Sequence, residues 1–335
     1  MKKVLVLFTG LLLVFALSGC GQKSQEDVVS ALNEKLTDMK GYKANAKMTL
    51  EMGTEPQVYN VVIWHKDPSF YRVNLKNNQK EQSQMILRNN EGVYVLTPAL
   101  NKSFKFQSEW PENSSQAYLY ESLVKDIIED KNASFKTVDN HYVFETKTRY
   151  QNNKMLPYQE ITLNKKDLSP VQVKVMDPDH KTLVTVKFSN VKFGTTFDKD
   201  AFDMKKNMTS AQLEVPVMGN VGDDSFSVKY PADLAGSSLI EEKKIEAENG
   251  KRVVLTYEGN KNFTLVQEKA EVMETTIVPT DMNGEPVDLG YTVGAMSAHS
   301  LAWTHDGVDY TLVSDDLSKQ EMVTIAESVG GNSVK

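Results

Sequence analysis

The spacing of apolar residues changes period several times along the chain, and each change marks an element. Val4 to Ala16 (VLVLFTGLLLVFA) is a continuous apolar run behind Lys2 and Lys3. It is shorter than the roughly 20 residues that a membrane-spanning helix needs. With the small residues after it, it reads as a secretory signal over residues 1–19, cut after Gly19, and residues 20–25 read as a tether. From Glu26 to Lys40, Val28, Val29, Leu32, Leu36 and Met39 recur at spacings of three and four. That is an amphipathic helix ended by Gly41. Past Gly41 the period is two: Ala44, Ala46, Met48, Leu50 and Met52 alternate with Lys43, Asn45, Lys47, Thr49 and Glu51. Such alternation predicts a strand with one wet face.

Gln57–His65 is apolar on both sides and so is predicted to be covered on both. Short strands follow at Phe70–Lys76, Gln84–Arg88, Val93–Thr97 and Ser103–Gln107, with turn residues between them. A second amphipathic helix, Ala117–Asp130, interrupts the meander, and strands resume at Ala133–Val138, His141–Lys147, Tyr158–Asn164, Pro170–Met176 and Leu183–Phe193. So many strands with short connections pair antiparallel and curl, and the apolar helix faces need something to cover. The expected fold is mainly β (α+β): a strongly curved antiparallel sheet, an incomplete β-barrel with a helical lid, over residues 26–206. A loop rich in Gly, Pro and small polar residues, 207–224, reads as a linker. A smaller α+β domain is expected over 225–335. Its strands are read at Phe226–Tyr230, Val253–Tyr257, Phe263–Gln267, Leu301–Thr304 and Val308–Val313. Ser318 and Glu321 form a capping box that opens its helix.

Charge sharpens this division. Residues 21–210 carry 27 Lys+Arg and 24 Asp+Glu, a net of +3, whereas residues 211–335 carry 9 and 21, a net of −12. The acidic half serves solubility, or repels anionic lipid, or attracts a basic partner. No basic stripe suits nucleic acid. Cys20 is the single cysteine, which excludes a disulfide framework and a cysteine metal site.

Two resemblances carry function. Leu17-Ser18-Gly19-Cys20 resembles the lipobox of bacterial lipoproteins, which implies a diacylglyceryl group on Cys20 and a mature chain that begins there. Two acyl chains hold a protein to a membrane stably. Ile161–Met204 is similar to the closing strands of the outer-membrane lipoprotein carrier (LolA-like) superfamily and its Gram-positive relatives. The matching features are Lys165-Lys166-Asp167, Leu168-Ser169-Pro170-Val171, the turn Asp177–His180, the long strand Val184–Phe193 and the pair Phe197 and Phe202. The resemblance implies a half-barrel whose apolar hollow shelters acyl chains. The chain resembles lipid-anchored lipoproteins of sporulation or germination more than shuttling carriers. Its C-terminal part resembles a small envelope domain of unknown function.

Reactive groups are scattered. His65, His141, His180, His299 and His305 fit no metal-ligand spacing, and no nucleophile elbow, phosphate loop or dinucleotide fingerprint is present. Ser122-Leu-Val-Lys125 has the spacing of penicillin-binding enzymes, but the third motif, KTG, is missing. No catalytic residue, metal or cofactor is therefore expected. The leading reading is a non-enzymatic, membrane-anchored envelope protein on the extracytoplasmic face that binds an acyl chain or lipidated ligand. The hollow is assigned to Ala46, Met48, Leu50, Val173, Val184, Val186 and Phe188. The alternative is an interaction scaffold for an envelope or peptidoglycan-remodelling protein.

Overall fold

A computed structural model describes residues 23–51, 56–77, 82–150, 153–214, 226–247, 250–272, 278–282 and 284–331. The expected signal segment, Gly19, Cys20 and Met52 lie outside these residues, as do Gly21 and Gln22 of the expected tether and the later part of the expected linker. Among the described residues no helix is long and apolar enough to cross a membrane. The chain divides into two units, residues 1–38 and 39–335. In the first unit, α1 (Gln25–Asp38) starts at a reciprocal cap. The Asp27 N–H donates to Ser24 Oγ at 3.2 Å, and the Ser24 N–H donates to Asp27 Oδ2 at 3.0 Å. Two otherwise unpaired amide donors are satisfied this way.

The second unit opens with an antiparallel meander: β1 (Gly41–Leu50), β2 (Gln57–Lys66), β3 (Phe70–Asn77), β4 (Gln82–Asn89), β5 (Gly92–Thr97) and β6 (Lys102–Phe106). Helix α2 (Tyr120–Glu129) follows, then β7 (Ser134–Val138), β8 (His141–Lys147), β9 (Tyr158–Asn164), β10 (Pro170–Met176) and β11 (Thr182–Phe193). A short strand from far along the chain, β15 (Thr280–Met282), completes a row of twelve in the order β15-β6-β5-β4-β3-β2-β1-β11-β10-β9-β8-β7. The row is open, as expected for an incomplete barrel.

Helix α2 requires the row to bend. Glu121 Oε1 lies 3.1 Å from His65 Nε2 on β2, and Gln159 Nε2 on β9 donates to Asp126 Oδ2 at 2.6 Å. On a flat sheet those two positions would be roughly 30 Å apart, four strands over and eight residues along. The two acids stand about 7.5 Å apart along the helix axis. Side chains alone do not span the difference, so the sheet curls around α2, whose Leu123, Val124 and Ile127 are buried.

The outer face of the same strands is covered as well. Helix α3 (Met204–Glu214) sets Met204, Met208 and Ala211 against Met85, Leu87, Tyr94 and Leu96 of β4 and β5. Phe197 and Phe202, the aromatic pair noted in the sequence, pack 5.2 Å apart beside Trp64 and Phe70. The double cover expected for β2 is thus present at Trp64. Residues 207–214, read from the sequence as the start of a linker, are helical. Met208 and Ala211 bury against the sheet in step with Met204 before them, and the Gly- and Pro-rich part begins only afterwards.

The second sheet is built from β12 (Ser237–Ala247), β13 (Gly250–Gly259), β14 (Phe263–Lys269), β16 (Glu285–Asp288), β17 (Val293–Met296), β18 (Ser300–His305) and β19 (Val308–Val313). Its order is β12-β13-β14-β19-β18-β17-β16. Helix α4 (Lys319–Gly331) starts at the expected capping box, with Ser318 Oγ 2.7 Å from Glu321 Oε2, and buries Met322, Ile325 and Val329. One expected strand is corrected. Residues 226–230 form none, because the buried Gln267 side chain takes a neighbouring strand's place. It accepts from the Lys229 N–H at 2.9 Å and donates to the Lys229 carbonyl at 2.6 Å.

The two sheets are joined rather than merely linked. Strand β15 pairs parallel with β6, Lys102 Nζ meets Asp309 Oδ2 at 2.7 Å, and the Val293 N–H donates to Gln84 Oε1 at 2.8 Å.

The firmest anchor of α2 is the Asp126 carboxylate, whose side chain is fully buried. It takes bonds from Arg149 Nε at 2.5 Å, Ser115 Oγ at 2.8 Å and Gln159 Nε2 at 2.6 Å. Burial pushes its carboxyl above the usual carboxylate range, and the Arg149 guanidinium opposes that. Removing one side of such a pair leaves buried donors without an acceptor. Asp126→Ala should therefore lower unfolding free energy by about 3 kcal/mol, near the low end for a buried pair because Arg149 retains partial access to water. Urea unfolding followed by tryptophan fluorescence measures it, and a loss below about 1 kcal/mol would be incompatible with this anchoring.

Candidate functional site

The residues assigned to the hollow share one face of three adjacent strands. Met48 on β1 stands opposite Val186 on β11, which stands opposite Val173 on β10; Ala46 stands opposite Phe188, and Leu50 opposite Val184. Six of the seven are buried, and Phe188 is half-buried.

What covers them is the protein's own chain. The loop from Trp110 to Tyr118 and residues Tyr150 and Leu156 come from the first sheet's connections, while Pro286, Val287 and Val323 come from the second sheet and α4. The space left against Met48, Leu50 and Val184 has a cavity volume of about 40 Å³. Ala46, Val173, Val186 and Phe188 do not line it. A second cavity of about 60 Å³ lies between the two sheets, against Tyr59, Leu75, Tyr291, Thr292 and His305. Both cavities touch Asp288 and Gly290. The Gly290 N–H donates to Asp288 Oδ1 at 2.8 Å, and burial holds that carboxyl above its usual range. A cavity that takes up benzene measures about 150 Å³. Both spaces fall well short of that volume.

The most perturbed ionisable pair sits at the start of α2. Glu121 accepts from the Tyr42 hydroxyl at 3.1 Å, and His65 lies against the Tyr71 ring at 4.5 Å. The two side chains are 13 % and 5 % exposed. Burial pushes the Glu121 carboxyl up to about 8, against the help of Tyr42, and pushes the His65 imidazole down to about 4. At neutral pH the pair holds one proton and no net charge. Glu121 follows the buried Tyr120 at the start of α2 and is itself turned inward. His65 follows Tyr59, Val61 and Ile63 at a spacing of two, and that inward position was the available signal.

The other sequence candidates are separated. Ser122 Oγ accepts the Gln116 N–H at 2.8 Å, whereas Lys125 Nζ reaches out to Glu112 at 3.3 Å. His299 pairs with Asp315 at 3.0 Å in the open, and His305 lies buried near Asp306 at 3.3 Å. His180 stacks on Tyr158 at 4.6 Å. Among the described residues no three His, Cys, Asp or Glu side chains group as a metal site.

Fold and lining together define a class: open, curled sheets closed around an internal helix. The family described as "Sporulation protein YdcC-like" matches residues 1–202. "Sporulation protein YdcC" of Bacillus subtilis (strain 168) is 58% identical over 335 residues, covering 100% of this chain and 98% of that protein. The chain belongs to the sporulation protein YdcC-like family, as the resemblance to sporulation lipoproteins led one to expect. Solved structures similar to it include the Pseudomonas aeruginosa MucA/MucB complex, at 14% identity and TM-score 0.34, covering 90% of this chain and 97% of that one. A putative outer membrane lipoprotein-sorting protein domain from Vibrio parahaemolyticus shows 14% identity and TM-score 0.33, covering 55% and 99%. A LolA superfamily protein from Nitrosomonas europaea shows 12% identity and TM-score 0.30, covering 53% and 97%.

The Glu121–His65 pair fixes a pH dependence. A carboxyl raised from 4.5 to about 8 loses stability as pH rises between those values, and an imidazole lowered from 6.5 to about 4 loses it as pH falls between them. The slopes cancel from 4.5 to 6.5, so the net loss comes above 6.5 and amounts to about 2 kcal/mol by pH 8. In Glu121→Gln only the imidazole remains. That variant should be flat above pH 6.5 and lose stability below it. Urea midpoints across this range decide the point, and parallel curves for the two proteins would count against the assignment.

Proposed function

We propose that this chain is a non-enzymatic protein of the sporulating cell's envelope, anchored through diacylglyceryl-Cys20 on the outer side of the cell membrane, and that it acts as a scaffold for another envelope protein. Family membership supports the sporulation setting. The scaffold role rests on the filled hollow: cavities of about 40 and 60 Å³ leave no room for an acyl chain while α2 and the second sheet stay seated. Binding surfaces are then left on the outside, where open sheets offer edges and broad faces.

A second reading is the carrier reading, in which the hollow admits an acyl chain or a lipidated peptide. Its support is the lining of Met48, Leu50 and Val184, with an adaptable thioether among them, and the meeting of the two cavities at Asp288 and Gly290. Displacing the cover would merge the cavities into one apolar cleft of the kind that holds ligands.

Native mass spectrometry of the full chain extracted from membranes of sporulating cells separates the two. The scaffold predicts an acylated N-terminal Cys20, no further lipid, and a second polypeptide in fixed ratio. A stoichiometric acyl ligand with no polypeptide would replace the scaffold by the carrier, and an unacylated N-terminus would remove the anchor.

A further inference from the structure

The outward face of β11, β1, β2 and β3 carries an unusual charge distribution. These four adjacent strands contain no Asp or Glu, and every Lys and Arg in them alternates to the face opposite the hollow. Strand pairing sets six of the seven cations in two rows, and Lys66 lies at the end of β2 over the Phe70 ring. Lys187 stands opposite Lys47, which stands opposite Asn60, which stands opposite Lys76. Lys192 stands opposite Lys43, which stands opposite Trp64, which stands opposite Arg72.

Two of these juxtapositions, Lys47 with Lys187 and Lys43 with Lys192, are like charges directly across a ladder, which costs stability. Lys47, Lys76, Lys187 and Lys192 are exposed. Lys43 and Arg72 are held over the Trp64 ring at 4.2 and 4.3 Å. Between the cations the face bears Asn45, Asn74, Thr49, Thr185 and Ser189, small polar groups suited to accepting or donating hydrogen bonds.

From the strand spacing and rise, the six cations span a raft about 14 Å on each side. One small anion cannot touch more than a corner of it. A surface of many phosphates can cover it, and the acid excess of the chain lies in residues 211–335.

We infer that this face adsorbs to the phosphate headgroups of an anionic phospholipid bilayer. The inference deepens the anchored reading above, since a lipidated Cys20 keeps such a surface within reach. Adsorption would lay the cationic strands, which hold no acid, directly on the membrane. It would also relieve the two opposed lysine pairs.

The test uses the full chain bearing Cys20→Ser, so that no acyl anchor contributes and the leader is common to every arm. Partition is measured on vesicles of phosphatidylcholine, with and without phosphatidylglycerol. The protein should prefer the anionic vesicles at low salt and lose the preference as salt screens the charges. The triple variant Lys47→Gln, Lys187→Gln, Lys192→Gln should weaken that partition on the order of 100-fold, while its melting temperature stays equal or rises. A control with the same net charge, Lys243→Gln, Lys244→Gln, Lys251→Gln, should bind like the parent. Equal partition onto both vesicles, or an equal loss in the control, would overturn the inference. The assay contains no acylated protein, so its outcome is independent of the Cys20 assignment, which the mass of the mature N-terminus tests.

Discussion

The second unit depends on how α2 is held. Its two inward carboxyls are treated in opposite ways. Asp126 is gripped by a guanidinium, an amide and a hydroxyl. Glu121 is kept neutral beside a neutral imidazole. An unmet charge in an apolar interior is expensive, so the first end cannot slide along the helix axis without breaking three directed bonds. The second end rests on the bond that the Tyr42 hydroxyl donates to Glu121. With both ends seated, the sheet has a fixed bend and the hollow has a fixed filling.

The period of two that defines a strand also divides the labour of these strands. In β1, each residue that contributes to the filled interior is followed by one that faces water. The apolar face and the cationic face are therefore not independent inventions. Shifting the register by one residue would carry lysines into the core and methionines to the outside, so selection on one face constrains the other. The outer cover of α3 stops over β4 and β5, which leaves β11, β1 and part of β2 and β3 open.

How much of this could be read from residues alone depends on how strictly each segment alternates. Strand β1 was unambiguous. Strand β12 was missed because its residues are exposed on both faces, so SSLIEEKKIEA has no apolar period to find. Residues 226–230 look like a strand, but a single buried glutamine, 38 positions further on, supplies the bonds that a neighbouring strand would. Helix α3 was masked by the Gly- and Pro-rich residues that follow it. The groups that lie against Met48, Leu50 and Val184 could not be read from the strands, because they arrive from loops and from the second sheet. The Glu121–His65 pair was invisible for the same reason. Each residue is ordinary in its own element, and the perturbation exists only where the two elements meet.

Three residues, Thr280 to Met282, have a reach beyond their size. They occupy the outer backbone of β6, which would otherwise be the free margin of a twelve-strand row. A bare margin templates the addition of further strands, including those of another copy. The late segment thus works as a stopper, and a chain that ended before it would be left with an adhesive border. Completion of the polypeptide thus shields one border of the first sheet, while β7 stands at the other.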